Sequence, residues 1–374
     1  MRMNLLVSLA ALGTALTGVD AAPPAPPAPP SEPSTPLPPS YRTVAKQLGY
    51  PESSLCKKLE VRKEWRTFTV KEKQAYIAAV NCLADKKRNP HSKNLKPQYP
   101  RSNIPPVNPD SSFYDDMTYI HMDQTDHIHY TGSFMPWHRW FTNMHSRALK
   151  TKCGYKGVMP YWDWSKDAAS FNTSAMWDPN PTSGLGTFGD PAQDHQVTNG
   201  GFANMKVAYP ISHTPRRAYT PFPYLTWWWV PRPQEAAAEG IKQSYVDSAI
   251  NGYIGDFRGF QNATEKAQAF HANIHMIMGG DMAGTCPKAA GTTCQGGSTW
   301  TPNDPLFFFH HANMDRIWWL WQLRNPLQNF LAFFGGTNMT YSDPAFSNGY
   351  PPWMKITDSL PTDGMFPEYP HRRS

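Results

Sequence analysis

Charge is scarce in this sequence: Asp, Glu, Lys and Arg together make up 17% of its 374 residues. The formal net charge is +6, and the lysines and arginines are scattered, without a run of five or six. A protein that binds nucleic acid usually has such a run or one strongly basic face. We therefore expect no nucleic-acid partner.

Long hydrophobic runs are also missing, with one exception at the amino terminus. Residues 4–19 are mostly apolar, follow Arg2 and lead into Val19-Asp20-Ala21. This run is too short to span a bilayer and has the layout of a secretory signal peptide. The sequence predicts a signal peptide over residues 1–21, a secreted, extracellular protein and no membrane attachment.

Cysteine is rare, with five residues that allow at most two disulfides and leave one thiol over. Secretion places these cysteines in an oxidising compartment, where disulfides persist. Cys286 and Cys294 flank a short loop rich in Gly and Thr, and we predict that they pair. The pairing among Cys56, Cys82 and Cys153 stays open.

Three Asn-X-Ser/Thr sequons agree with secretion because such sites are glycosylated in secreted proteins. The candidate glycosylation sites are Asn172, Asn262 and Asn338.

Proline is unevenly distributed. Of the 38 prolines, 10 fall in the 19 residues 22–40, and a segment of that composition forms an extended linker rather than a packed core. Residues 41–374 show no comparable break and no internal repeat. The sequence predicts a linker over residues 22–40 and one catalytic domain over residues 41–374.

Helix starts can be read from capping residues or prolines ahead of apolar periodic runs. Four starts are predicted in this way: at Thr69 with Glu72, at Pro136, at Asn262 with Glu265, and at Asp304 with Pro305. The helix that starts at Asn262 is expected to end at Gly279-Gly280. Residues 165–240 are instead rich in Pro, Gly, Asn and Thr, which is typical of loops. We expect a mainly α fold, a four-helix bundle with long loops and little strand.

Histidines are concentrated in two parts of the chain. Of 13, five lie between His121 and His145 and four between His271 and His311. His271 and His275 are four residues apart, so both imidazoles lie on the same face of one helix. No glutamate follows His271, which excludes the helix motif of zinc proteases.

The other end of the second group adds His311, which lies four residues before Asp315. An acid on the same helix face can orient a metal-bound imidazole, so we predict that Asp315 supports His311. A buried helix with a satisfied histidine would explain this segment alone, but it would not explain the pair that precedes it.

In the first group, His121, His129 and His138 are eight and nine residues apart. Gly132 and Pro136 interrupt any continuous helix, so the three imidazoles would come from a helix, a loop and a second helix. The two groups then offer six neutral nitrogen donors and no carboxylate. Such a donor set favours copper over calcium, magnesium or a carboxylate-bridged di-iron site.

Four segments resemble the signatures of tyrosinases and catechol oxidases, most closely those of the short secreted fungal members. They are His129–Arg139, Pro160–Trp164, Gly279–Met282 and Asp304–Asp315. The resemblance implies a dinuclear type 3 copper centre, in which His121, His129 and His138 bind one copper and His271, His275 and His311 bind the other. His127 and His310 would be neighbours of ligands and not ligands themselves.

The resemblance also implies oxidation of o-diphenols (catechols) to o-quinones with O2, so a small phenol and O2 are the expected partners. Many members that also hydroxylate monophenols carry Asn where this chain has Ala272. This favours diphenol oxidation and leaves additional hydroxylation of monophenols open. His127 stands where many members have a cysteine that is tethered to a histidine. His145 stands where many members have a glutamate, and we expect His145 to have a structural role.

Two alternatives to an enzyme use the same centre: a reversible O2-binding protein of the haemocyanin kind, or a catalytically silent copper protein. Carriers either cover the site with an extra domain or form very large oligomers, and the predicted single domain has no such cover. Quinone formation from catechol under air would separate an enzyme from both alternatives.

Overall fold

A computed structural model describes residues 60–99, 101–339 and 348–367, together with Thr43 and Lys46. Within these ranges the chain is mainly helical, and its four strands contain only two to four residues each. This confirms the expected mainly α fold with little strand. The predicted signal peptide (1–21), the predicted linker (22–40) and Cys56 lie outside the described residues. None of the described helices combines the length and apolar character that a bilayer crossing requires.

The helices account for most of the ordered backbone. They are α1 (Val70–Leu83), α2 (Phe113–Ile128), α3 (Phe134–Cys153), α4 (Gln243–Asn251), α5 (Phe257–Glu265), α6 (Phe270–Met278), α7 (Leu306–Arg324) and α8 (Pro326–Asn329). Strand β1 (Lys63–Glu64) pairs in parallel with β2 (Pro160–Tyr161), and β3 (Gly336–Asn338) pairs antiparallel with β4 (Tyr350–Trp353). Helices α2, α3, α6 and α7 form the bundle around the clustered histidines.

Helix α1 begins where the capping residues predict. Thr69 accepts a hydrogen bond from the backbone N–H of Glu72, and the Glu72 carboxylate accepts one from the Thr69 N–H at 2.8 Å. This reciprocal pair satisfies two N–H groups that the first helical turn leaves free. The inner face of α1 then buries Tyr76, Val80 and Leu83 completely.

A disulfide joins Cys82 near the end of α1 to Cys153 at the end of α3. It ties the end of α1 to the end of α3 and answers, for Cys82 and Cys153, the pairing that the sequence left open. Cys286 and Cys294, the pair expected from the sequence, form the second disulfide.

Helix α2 lies at the centre of the core. A reciprocal cap between Ser112 and Asp115 starts it, and every residue from Phe113 to Thr125 is buried. Helix α3 ends at Gly154, whose φ of 68° is a left-handed conformation that glycine adopts without a steric penalty. The two helices are long enough to carry histidines well inside the core.

One predicted helix start is wrong. Asn262 and Glu265 lie inside and at the end of α5, and a separate helix, α6, begins at Phe270 after Ala269. Gln268 has a positive φ of 63°, which breaks the helical path between the two elements. The predicted end at Gly279-Gly280 is correct, because α6 stops at Met278 and both glycines have positive φ.

Buried ion pairs hold the long loops between β2 and α4 against the helices. Arg217 and Asp304 are both fully buried and make two hydrogen bonds of 2.6 and 2.9 Å, while Arg217 also donates to the backbone carbonyl of Leu185. A buried charge pair is tolerated only when both partners are well bonded, as they are here. The pair fixes the loop against the start of α7.

The β3–β4 hairpin packs on the loop that follows α2. Gly132 donates its N–H to the carbonyl of Gly336 at 3.0 Å. Gly335 is so close to Gly132 that a Cβ added to Gly335 would lie 2.4 Å from the Cα of Gly132. Beyond the hairpin, the indole of Trp137 donates to the carbonyl of Pro361 at 2.8 Å. The carboxy-terminal segment therefore supports both α3 and the loop before it.

Candidate metal centre

The structure brings the three histidines of the first group together. His121 lies on α2, His129 is the residue that ends α2, and His138 lies in the second turn of α3. One ring nitrogen of each lies within 4.8 Å of the others, and all three side chains are buried. His129 has an extended backbone, with φ of −119° and ψ of 143°, which turns the chain out of the helix.

Backbone carbonyls fix the orientation of these three rings. Nδ1 of His121 lies 2.7 Å from the carbonyl of Thr299, and Nδ1 of His138 lies 2.8 Å from that of Phe134. His129 makes the equivalent contact with its own helix at 3.0 Å. Because only a protonated nitrogen can donate to a carbonyl, each Nε2 carries the free lone pair that a metal ion needs.

The second group forms a similar cluster next to the first. His271 and His275 on α6 and His310 and His311 on α7 have ring nitrogens within 4.8 Å of one another. His275 donates from Nδ1 to the carbonyl of Met282 at 2.7 Å. Met282 belongs to the Gly279–Met282 segment, which Asp281 anchors through a bond to the backbone N–H of Arg216. This explains why a glycine-rich turn follows the histidine pair.

The two clusters touch each other. The rings of His138 and His311 are stacked, with centroids 4.2 Å apart and planes 12° from parallel, and the rings of His129 and His271 lie 6.4 Å apart. Two phenylalanine rings pack against the clusters: Phe134 lies 4.7 Å from His271, and Phe307 lies 4.2 Å from His311. The arrangement suits two metal ions side by side in an apolar setting.

Burial keeps these imidazoles neutral. It lowers the pKa of His129 and of His275 to about 4, and it lowers the pKa of His121, His138 and His271 well below the usual value. A neutral imidazole is the form that binds a metal.

Several of these nitrogens have no protein partner. Nε2 of His121, of His138 and of His271 is buried without a hydrogen bond, an unusual state for a buried polar atom. Bound metal ions would satisfy them. Neutral nitrogen donors without a carboxylate in either cluster fit copper.

Asp315 does not support His311 as the sequence predicts. Its carboxylate forms ion pairs with Arg139 and, at 2.7 Å, with Arg62, while neither ring nitrogen of His311 has a hydrogen bond. The spacing places Asp315 one turn beyond His311, but its carboxylate pairs with Arg139 from α3 instead of with His311. Burial works against ionisation of Asp315, yet the two arginines outweigh it and lower its pKa. The acid therefore joins α7 to α3.

The two remaining histidines of the first group, His127 and His145, lie outside both clusters. His127 directs Nδ1 to the carbonyl of Thr337 at 3.0 Å, and its ring packs against that of Tyr99 with centroids 3.8 Å apart and planes tilted by 31°. His145 stacks on Phe308 at 3.7 Å, and burial lowers its pKa to about 3. Both contacts are packing contacts within the described part of the chain.

The structure shows two residues at the site whose position the sequence did not indicate. Glu265 is fully buried and accepts hydrogen bonds from the backbone N–H of Tyr130, next to His129, and from Gln261 at 2.8 Å. Burial raises its pKa well above the usual value, although the hydrogen bonds from Tyr130 and Gln261 act in the opposite direction. The second is His310, expected to be only a neighbour, which lies in the second cluster. Two adjacent histidines on a buried helix were the available signal.

Comparison with known proteins gives matches in sequence and in structure. Residues 111–324 match the family described as the common central domain of tyrosinase. The chain is 30% identical over 287 residues to the tyrosinase-like protein phomQ1 of Diaporthe leptostromiformis, covering 72% of this chain and 64% of that protein. It is 27% identical over 329 residues to tyrosinase ustQ of Aspergillus flavus, covering 83% and 79%. The match therefore spans less than two thirds of the length of the Diaporthe relative.

Among solved structures, a single-residue mutant of a polyphenol oxidase from Thermothelomyces thermophila is similar to this chain. The two superpose with a TM-score of 0.54 and 25% sequence identity, over 76% of each chain.

Proposed function

The chain belongs to the tyrosinase family, and from this premise we propose that it is a secreted type 3 copper oxidoreductase that oxidises o-diphenols to o-quinones with O2. One observation carries the proposal: two all-histidine clusters lie in contact, with the rings of His138 and His311 stacked at 4.2 Å. Neutral nitrogen donors in neighbouring sets are what a pair of copper ions requires.

We assign His121, His129 and His138 to one copper and His271, His275 and His311 to the other. The ring nitrogens of each set lie within 4.8 Å of one another, and those of His310 belong to the second cluster as well. The resemblance of Asp304–Asp315 to the family signature favours His311 as the third ligand. The copper pair would supply O2 binding and the exchange of two electrons. The protein holds the imidazoles in place and keeps bulk water away.

The surroundings of the site favour a diphenol over a monophenol. A monophenol must lose a proton as well as acquire an oxygen atom, and a polar side chain beside the first histidine of the second set could help to orient a water for this. Ala272 occupies that position and has no hydrogen-bonding group. The buried rings of Phe134 and Phe307 pack against His271 and His311 and make the surroundings of the clusters apolar.

Secretion is part of the same proposal, with residues 1–21 as signal peptide, 22–40 as linker and 41–374 as catalytic domain. Two disulfides agree with an oxidising compartment. Of the three candidate glycosylation sites, Asn172 and Asn338 are exposed, whereas Asn262 is half-buried on α5.

The test measures copper and turnover in the same sample. The secreted full-length protein is loaded with copper, the metal is counted per chain, and quinone formation is recorded with catechol and with the matching monophenol. We expect two coppers per chain and faster turnover of catechol. Two coppers without quinone formation would indicate an O2 carrier or a silent copper protein, and a single zinc would exclude the assignment.

A further inference from the structure

The second cluster contains one imidazole more than the three assigned to it. His310 is fully buried, and its ring centroid lies 4.9 Å from that of His275 and 5.3 Å from that of His271. The ring of His311 lies 5.7 and 5.2 Å from the same two histidines. His310 is therefore closer than His311 to His275 and about as close to His271, so it could also complete a set with the α6 pair.

The hydrogen bonding of His310 also points to a ligand. Both of its ring nitrogens are buried without a partner. A neutral imidazole has one N–H to donate and one lone pair to share, so burying both unbonded is unfavourable. A purely packing role would be served better by phenylalanine, which precedes it in the chain.

His311 has a contact that His310 does not have. Its ring lies flat against His138, which belongs to the other copper, with planes 12° from parallel. His310 instead lies parallel to His271, within the second cluster, at an angle of 19°. His311 therefore stands at the boundary of the two clusters, and His310 stands inside one of them.

We propose that His310 is a reserve ligand, a fourth nitrogen donor that holds the second copper together with His271 and His275 when His311 is not bound to it. The proposal rests on the proposed copper centre. In the exchange, the bond from copper to His311 breaks and a bond from copper to His310 forms. Both imidazoles are neutral, so neither a proton nor an electron moves. After loss of the bond to His311, the second copper would still be held by three imidazoles instead of two, which would slow its release.

Copper retention tests this directly. We compare the copper-loaded full chain with the variants His311→Ala, His310→Phe and the double variant, counting copper per chain after dialysis. Release is followed in the presence of a reductant with a chromogenic chelator specific for Cu(I). We expect two coppers in His311→Ala and one in the double variant. His310→Phe should keep two but release one about ten-fold faster, a typical effect of losing a supporting group at a metal site.

His127→Ala is the matched control, because that imidazole lies outside the clusters, and it should match the unaltered chain. Phenylalanine fills the space of His310, and melting of the copper-free variants checks folding. If His311→Ala does not fold, the release rate of His310→Phe decides. One copper in His311→Ala, or unchanged release from His310→Phe, would overturn the proposal. A chain that binds two coppers but forms no quinone would contradict the proposed function and leave this result standing.

Discussion

The ion pair between Arg139 and Asp315 gives the sharpest test of how the ligand helices are held. Arg139 follows His138 on α3, and Asp315 lies one turn after His311 on α7. The guanidinium also stacks over Trp318 at 3.7 Å. Asp315→Asn removes the negative charge with almost no change in shape, so its effect reports on the ion pairs alone.

The magnitude follows from burial. Removing one partner of a buried pair costs about 3–5 kcal/mol. The side chains of Asp315 and Arg139 remain 12% and 32% exposed, so solvent screens the pair and we expect about 2–3 kcal/mol here. A large domain loses about 2 °C of melting temperature per kcal/mol. Asp315→Asn should therefore lower the melting temperature by about 4–6 °C at pH 7.

The pH dependence gives a second readout. The two arginines hold the pKa of Asp315 below its ordinary value in the folded state. A carboxyl with a lowered folded pKa stabilises the fold above its unfolded pKa, and this stabilisation is lost as pH falls through the folded value. The difference between the two proteins should therefore be full at neutral pH and shrink below about pH 4.

The control is Asp110→Asn, which removes the partner of Lys86 in an exposed ion pair. Exposed pairs contribute little, so its melting temperature should stay within about 1 °C of the unaltered chain. The reasoning fails if Asp315→Asn melts like Asp110→Asn at pH 7. In that case α3 and α7 would be held together by packing alone.

Three further predictions concern the centre and its support. His138→Ala should lose one copper per chain by elemental analysis, whereas His127→Ala should keep two. The copper-free protein should lose stability as pH falls from about 6.5 to 4. In this range His129 and His275 bind protons in the unfolded chain but stay neutral in the folded one, where burial lowers their pKa to about 4. Urea unfolding at both pH values would show this, at about 3 kcal/mol per histidine. Gly132→Ala would place a Cβ 3.2 Å from the Cα of Gly335 and from the ring of Phe333, just before β3, and thermal melting should show a loss of stability of about 1 kcal/mol.

The sequence was most informative where chemistry depends on spacing along one helix. The Thr69 cap and the stop after Met278 are set by neighbouring residues, and the structure has both. His271 and His275 could be placed on one helix face for the same reason. Local spacing also showed that His129 must lie outside a helix, because Gly132 and Pro136 follow it.

Interactions between distant segments could not be inferred in the same way. The partner of Asp315 is Arg139, 176 residues away in the chain, and the i,i+4 rule says nothing about a side chain from another helix. The break between α5 and α6 depends on the left-handed backbone of Gln268, a residue with no strong turn preference. The role of His310 depends on the approach of α6 to α7. Each of these features is set by tertiary packing.

The hydrogen bonds from histidine Nδ1–H to backbone carbonyls bear on how easily bound ions could change oxidation state. Four of the histidines, His121, His129, His138 and His275, are held by such bonds, two of them to carbonyls on other segments, those of Thr299 and Met282. The two oxidation states of an ion prefer different arrangements of their ligands. Rings fixed in this way should keep nearly the same positions in both states. The inner-sphere reorganisation energy should therefore be small, so that oxidation and reduction can alternate with little movement of the polypeptide.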